Sequence, residues 1–430
     1  MRTVIANGHL IEPSTSVSET KDIAIEASKV VEIGLGLQGD ETIDASGNIV
    51  CPGLVDIHVH FREPGFESKE TIASGSRAAA KGGFTSVVTM ANTKPTIDNA
   101  GMVEFVNRRA REKDCVIRIW PAACATKGME GQEMTEMAEL RDLGVVAVTD
   151  DGKDIPSSWV MRRVLEYAEM CSLNYLAHCE DHSLMDGGAM NEGYTSTRLG
   201  IPGCPKAMEE IMIERNCRLA ELAGARIHIQ HVTSAAGMDI VRVAKARGVR
   251  VTCETAPHYW TLDDTAVERR GTNAKMNPPL REAHDVEAIK AAIADGTVDC
   301  IATDHAPHTP TEKDVEFELA PFGILGLETS LALGITHLVE PGIISIERLI
   351  ELMTVAGAKI LDLPAGRLYE GGPADITIID PKAEWVVDPN EFASLSRNTP
   401  FTGDTLRGVA QRTICNGETV HEAAETSVSS

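Results

Sequence analysis

Five apolar runs of this chain stop abruptly at groups able to hold a cation. In Val55-Asp56-Ile57-His58-Val59-His60 two imidazoles stand two residues apart, and in an extended strand such residues share a face. Side by side, two neutral imidazoles suit a borderline-soft divalent ion such as zinc. An isolated pair is also compatible with buried histidines that merely satisfy hydrogen bonds. The other four runs shift that balance. Gly144–Thr149 ends in Asp150-Asp151-Gly152, Asn174–Ala177 in His178, Arg226–Gln230 in His231, and Cys300–Thr303 in Asp304-His305-Ala306-Pro307-His308. Burying four histidines and two carboxylates together without a counter-ion would be costly. With two divalent ions and one shared acid, the same set is a binuclear hydrolytic centre, able to activate water and polarise a carbonyl. Asp56 reads as structural, while His182, His228 and His305 fall off the pattern and read as supporting or core groups.

Such groups converge only if the fold brings strand ends together. Strands are expected at 55–60, 85–91, 116–122, 145–149, 174–178, 226–230, 249–255 and 299–303. Helices are expected between them, at Ile72–Lys81, Met102–Lys113, Trp159–Ser172, Met208–Ala223, Gly237–Arg247 and Asp285–Ala294, with two more near Glu328–Leu338 and Ile346–Ile360. Eight such alternations over 52–365 are the count for an α/β protein with a (β/α)8 TIM-type barrel, whose active site lies at the C-terminal strand ends. The rival, an open doubly wound sheet, would call for a G-x-G-x-x-G turn that no early strand carries.

Outside 52–365 the chain reads as short strands and turns. Val4–Asn7, Asp22–Glu26, Val30–Ile33 and Glu41–Asp44 fall at one end, and Ala374–Ile379, Glu384–Val387 and Val409–Cys415 at the other. Neither end buries a core alone, so 1–51 and 366–425 are expected to pair into one small β-sandwich domain. Residues after about 421, rich in Thr, Ser and Glu, are expected to form a frayed tail.

The formal charge of -24 argues against a nucleic-acid or anionic-membrane partner, while leaving room for local arginines against an anionic small molecule. The ten cysteines show no CxxC pairing and read as reduced core fillers. The opening residues lack a leader-like apolar run, and no stretch approaches 18 apolar residues, so a cytoplasmic protein is expected.

Asp56-Ile57-His58-Val59-His60-Phe61-Arg62-Glu63-Pro64-Gly65 resembles the N-terminal signature of the dihydroorotases in the metal-dependent amidohydrolase superfamily, and Ala302–His308 resembles their C-terminal signature. Asn92, Asn277-Pro278-Pro279-Leu280-Arg281 and Phe322–Thr329 are similar to further blocks of that family. The resemblance implies reversible hydrolysis of (S)-dihydroorotate to N-carbamoyl-L-aspartate by a metal-bridging hydroxide, a step of pyrimidine biosynthesis, with Asp304 moving the proton. It implies two Zn2+ per chain, one on His58, His60 and Asp304, the other on His178 and His231. The bridge would be an aspartate, as in one dihydroorotase subgroup, where hydantoinases and allantoinases use a carboxylated lysine. Asp151 is preferred to Asp150 because it adjoins the glycine turn and should reach further over the mouth.

A guanidinium offers a two-pronged fork for a carboxylate, and Arg62 directly follows the histidine pair. The resemblance places Asn92 and His308 with it on the substrate carboxylate. Asn277 suits the ring amides because it donates and accepts at once, and the backbone at Phe322 and Gly323 would complete the ring contacts. Two alternatives stand beside this reading: a hydantoinase- or allantoinase-type enzyme, and a non-catalytic partner of aspartate carbamoyltransferase. The second predicts substituted ligands, and all six positions here are of coordinating type. A homodimer is expected, and a complex with aspartate carbamoyltransferase is compatible with activity.

Overall fold

In a computed structural model, which describes residues 1–424, all eight expected barrel strands are present. They are Leu54–Val59, Phe84–Thr89, Arg118–Cys124, Ala147–Thr149, Asn174–Ala177, Ile227–Ile229, Val251–Thr255 and Cys300–Ile301. Each pairs in parallel with its neighbour in chain order. The ring closes where Val59 bridges His305, with the His60 amide donating to the His305 carbonyl at 2.8 Å. Strands in a closed parallel sheet are covered on both faces, and the first two are buried at every position.

One face packs on surrounding helices, which start at side-chain caps such as Thr71, Asn99, Ser157 and Ser234. The other fills the barrel axis with Val55, Ile57, Val88, Ala122, Leu176 and Cys300, over a plug that includes Ala358 and Leu361. The axis is therefore filled at the strands' N-terminal side, leaving the C-terminal ends as the open mouth.

The two chain ends meet in one eight-stranded sheet. Its seam is Ile49–Pro52, parallel to Arg2–Glu12 on one side and antiparallel to Ile376–Val386 on the other. Ile5, Leu10, Ile23, Val50, Ile376 and Ile414 share its core. The four-residue seam escapes the sequence reading because it is too short to show a period. Glu384 and its neighbours, expected as a separate strand, continue Ile376–Val386 instead.

The helix expected over Ile346–Ile360 is split into Ile346–Leu352 and Val355–Ile360. At the break Thr354 leaves helical geometry (φ -130°, ψ -101°), and the Met353 carbonyl accepts from the Val55 amide at 2.8 Å. A helical carbonyl has thus been released to serve the first barrel strand. Glu418–Glu422 is a strand, so residue 422 belongs to the sheet, and the stretch expected as a tail lies from 425 on outside the described residues. Among the described residues no helix is long and apolar enough to cross a membrane.

Candidate metal centre

His58 lies in the first barrel strand and His60 just past it, while Asp151, His178, His231 and Asp304 follow the fourth, fifth, sixth and eighth strands. All six side chains are buried at the barrel mouth. Asp151 is their centre. Its Oδ1 is faced by His58 Nε2 at 3.4 Å, His178 Nδ1 at 3.5 Å and His231 Nε2 at 3.9 Å, and its Oδ2 by His60 Nε2 at 3.4 Å. The donor atoms form two groups that share this carboxylate: His58, His60 and Asp151, then Asp151, His178 and His231. Asp304 Oδ1 adjoins the first group, 3.0 Å from His60 Nε2 and 3.6 Å from His58 Nε2.

Asp150 is used differently. Its Oδ1 accepts from the amides of Ala125 and Thr126 at 3.0 Å each, and its Oδ2 from the Thr126 hydroxyl. Those bonds turn it away from the mouth. Lys153 is exposed, so it does not contribute to the centre.

The backbone is strained where the mouth is built. Arg62 (φ 24°), His231 (φ 32°) and Asp304 (φ 50°) all occupy left-handed conformations that non-glycine residues avoid. Each costs about 1–3 kcal/mol and clusters at sites that need a side chain aimed against its preference.

Charge balance follows from the crowding. Burial would raise the pKa of Asp304, but His58 and His60 outweigh it and hold the carboxylate below its ordinary range. Burial likewise opposes a charge on His178, yet Asp151 and Glu180 lift it to about 10. His231 goes the other way, to about 3, through burial and the neighbouring His178. Meanwhile Asp151 Oδ1 and His231 Nδ1 are buried with no hydrogen-bond partner, which native interiors rarely tolerate. His178 Nδ1 and His231 Nε2 stand only 2.8 Å apart. Imidazole and carboxylate donors, two groups and one shared acid fit a pair of divalent cations.

The expected substrate residues lie beside this centre, though not all of them face open space. Arg62 is largely buried, with Nε donating to the Pro307 carbonyl at 3.2 Å and Nη2 lying 3.4 Å from His308 Nε2. Burial lowers its pKa to about 10, which leaves it charged at neutral pH. His308 Nε2 donates to the Phe322 carbonyl at 2.7 Å, while Lys69 Nζ lies 3.3 Å from its Nδ1. Burial and then Arg62 push its pKa down to about 2, so it is neutral. Gly323 has φ 126°, and an added Cβ would lie 2.7 Å from that of Ala306, so the position demands glycine. Asn92 is turned inward: its Oδ1 meets His60 Nδ1 at 2.9 Å and its Nδ2 lies 3.3 Å from Asp151 Oδ2. Asn277 donates to Glu180, and its Oδ1 is buried without a partner.

Two acids that matter here escape the sequence reading. Glu254, inside the seventh strand, meets His58 Nδ1 at 2.6 Å, and Glu180 meets His178 Nε2 at 2.9 Å. A carboxylate in the wholly buried stretch Cys253–Thr255 is itself a signal, overlooked because it precedes the strand's end. Asp56 accepts from the His58 amide and from the amide and hydroxyl of Thr303, a structural use, as expected. His305 accepts from the Gly326 amide and His228 pairs with Glu254, so neither faces the mouth. His182, half exposed, pairs with Glu180.

A (β/α)8 barrel with this histidine and aspartate set at its mouth defines the metal-dependent amidohydrolase class. An amidohydrolase family profile matches residues 212–421, and a dihydro-orotase-like profile matches 47–236. The L-hydantoinase (dihydropyrimidinase) of Arthrobacter aurescens superposes with a TM-score of 0.88 at 26% identity, covering 98% of this chain and 96% of its own. Among sequence relatives, the dihydroorotase of Citrifermentans bemidjiense is 50% identical over 98% of this chain and all of its own length. That of Pelobacter propionicus is 51% identical with the same coverage. The chain belongs to the dihydroorotase family.

Proposed function

We infer that the chain hydrolyses (S)-dihydroorotate to N-carbamoyl-L-aspartate, and closes the ring in reverse, at a centre holding two Zn2+. The observation that carries the centre is Asp151, a buried carboxylate shared by two ligand groups, with one oxygen unpartnered amid three imidazoles. His58, His60 and Asp304 would hold one ion, His178 and His231 the other, and Asp151 both. When bound, the ions would activate a water and polarise the scissile carbonyl.

The protein's own groups do the rest. Asp304 is the most accessible of the six ligands, its side chain 10% exposed, so it is placed to take a proton from the nucleophile and deliver it to the departing ring nitrogen. Arg62 would bind the ring carboxylate, aided by His308, whose neutral state avoids repelling the guanidinium. Asn277 offers an unsatisfied carbonyl to a ring N–H, and Phe322 with Gly323 closes the pocket by backbone contacts. Asn92 would join Arg62 and His308 on the ring carboxylate, and its amide also holds His60 and Asp151.

Residues 1–51 with 366–425 and residues 52–365 are proposed as its two domains. A cytoplasmic homodimer, open to assembly with aspartate carbamoyltransferase, completes the proposal. Steady-state assays of dihydroorotate beside hydantoin and allantoin test the activity. Faster turnover of either alternative would overturn the substrate assignment.

A further inference from the structure

The two ligand groups are supported unequally from behind. His58 Nδ1 meets Glu254 Oε1 at 2.6 Å, and the other oxygen of Glu254 meets His228 Nε2 at 3.0 Å. His228 Nδ1 in turn lies 2.8 Å from the Thr252 hydroxyl. All three side chains at the head of this chain, His58, Glu254 and His228, are buried, His58 and His228 completely. With both rings neutral, one set of hydrogen-bond roles runs through this chain, and the side-chain amide of Gln230 also lies 3.1 Å from His58 Nδ1. The Thr252 hydroxyl donates to His228 Nδ1, His228 Nε2–H donates to Glu254, and Glu254 accepts from His58 Nδ1–H. His58 Nε2 is left as a lone pair aimed at Asp151 and Asp304. The second ring of this group, His60, is held at Nδ1 by Asn92.

Across the shared aspartate the support is thinner. His178 Nε2 pairs with Glu180, which also serves Asn277 and His182. His231 Nδ1 has no protein partner. One group thus has both imidazoles fixed, while the other has a single ring fixed by a carboxylate with two further obligations.

We propose that Glu254 and His228 are positioning residues for the metal held by His58 and His60, and that this site is consequently the tighter of the two. This rests on the two-metal reading above. An outer partner fixes a ligand's tautomer and ring orientation and raises its basicity, and losing one costs about 10- to 100-fold in metal affinity. Glu254 lies in the one strand of the mouth's later half that contributes no ligand, which leaves its buried charge without another evident use.

The test titrates zinc-stripped protein with Zn2+ against a chromophoric chelator, reading each binding class separately. The unaltered protein should show two classes of different affinity. Glu254→Gln, which keeps shape but removes the charge, should weaken the tighter class about 10- to 100-fold and leave the weaker one in place. Glu180→Gln should do the reverse. His228→Asn, which touches only the far side of Glu254, should weaken the tighter class by a smaller factor, and it serves if Glu254→Gln fails to fold. Thermal melts of the stripped proteins report that fold. Two zinc ions bound with unchanged affinities in both Glu254→Gln and His228→Asn would overturn the proposal while leaving the two-metal reading intact. Fewer than two ions in the unaltered protein would overturn both.

Discussion

The third barrel strand, Arg118–Cys124, joins two regions built on opposite terms. At its start Arg118 donates to Asp375 of the chain-end sheet at 2.6 Å and to Asn416 at 2.6 Å. Around that contact polar groups find partners: the Thr377 hydroxyl donates to the Gly83 carbonyl, and the Thr413 hydroxyl to that of Ala80. At the other end is the mouth, with left-handed non-glycine residues and buried atoms that lack partners. A structure selected only for stability would resemble the first region throughout. Arg62, His231 and Asp304 are three of the eleven left-handed non-glycine residues among the described ones, and Asn416 of the first region is another. What singles out the mouth is that such backbone and partnerless buried polar atoms fall on the metal-type side chains themselves.

The sharpest way to break that contrast is to remove its centre. Asp151→Ala deletes the carboxylate common to both ligand groups. Metal affinity should fall by more than about 100-fold at each site, because a shared ligand matters more than an outer partner. Metal analysis after purification should find depleted protein, and dihydroorotate turnover should vanish with it. Retention of two ions would show that the mouth is held by something other than Asp151.

Next in size is Arg62→Ala, which tests whether the mouth's strain serves substrate as well as metal. Losing one partner of a desolvated charge pair costs about 2–5 kcal/mol, so kcat/KM should fall at least about 30-fold. Metal content should stay unchanged, since the Arg62 side chain hydrogen-bonds to Pro307 and His308 and to none of the six clustered residues. An altered metal content would make Arg62 part of the centre's scaffold.

Asp150→Ala refines the boundary between the regions. Asp150 neighbours the bridge in sequence but behaves like the paired region, accepting two amides and a hydroxyl from Ala125 and Thr126. Its removal leaves those buried donors unsatisfied and should cost about 1–3 kcal/mol of stability. Chemical denaturation of the metal-free protein measures this. Loss of zinc here, with retention in Asp151→Ala, would exchange the two aspartates' roles.

How much of this was legible in the sequence follows from the same contrast. The barrel is legible because its strands are apolar runs at regular intervals, and the six clustered side chains because histidines and acids at the ends of such runs are conspicuous. Glu254 stands out as an acid inside an apolar strand, but what it does is visible only once His58 from another strand lies beside it. Asn92 was placed on the substrate by resemblance, yet its amide is engaged by His60 and Asp151, a pairing across three strand ends that spacing cannot show. The break at Met353–Thr354 has the same origin: a helix pattern carries no trace of the Val55 amide it must satisfy. Local period reports elements and exposed exceptions, whereas contacts between distant segments need the fold.

The smallest effect is expected at the start of the third strand. Arg118→Ala removes an ion pair in which Asp375 is buried but the arginine side chain is 29% exposed. Solvent screening reduces what such a pair contributes, while the charge-assisted bonds and the buried carboxylate left behind add to its loss. About 1 kcal/mol is the reasonable sum, read as a small drop in melting temperature. Asp375 would still accept the Asn416 amide at 2.8 Å, so the carboxylate is not wholly abandoned. Metal content and kcat/KM should not change, because the strand's other end is held independently by Ala125 and Thr126 on Asp150. A severalfold fall in kcat/KM with full metal occupancy would break the comparison itself. It would mean that the paired region transmits its geometry along the strand to the mouth, and that the two ends of the barrel are not separate in function.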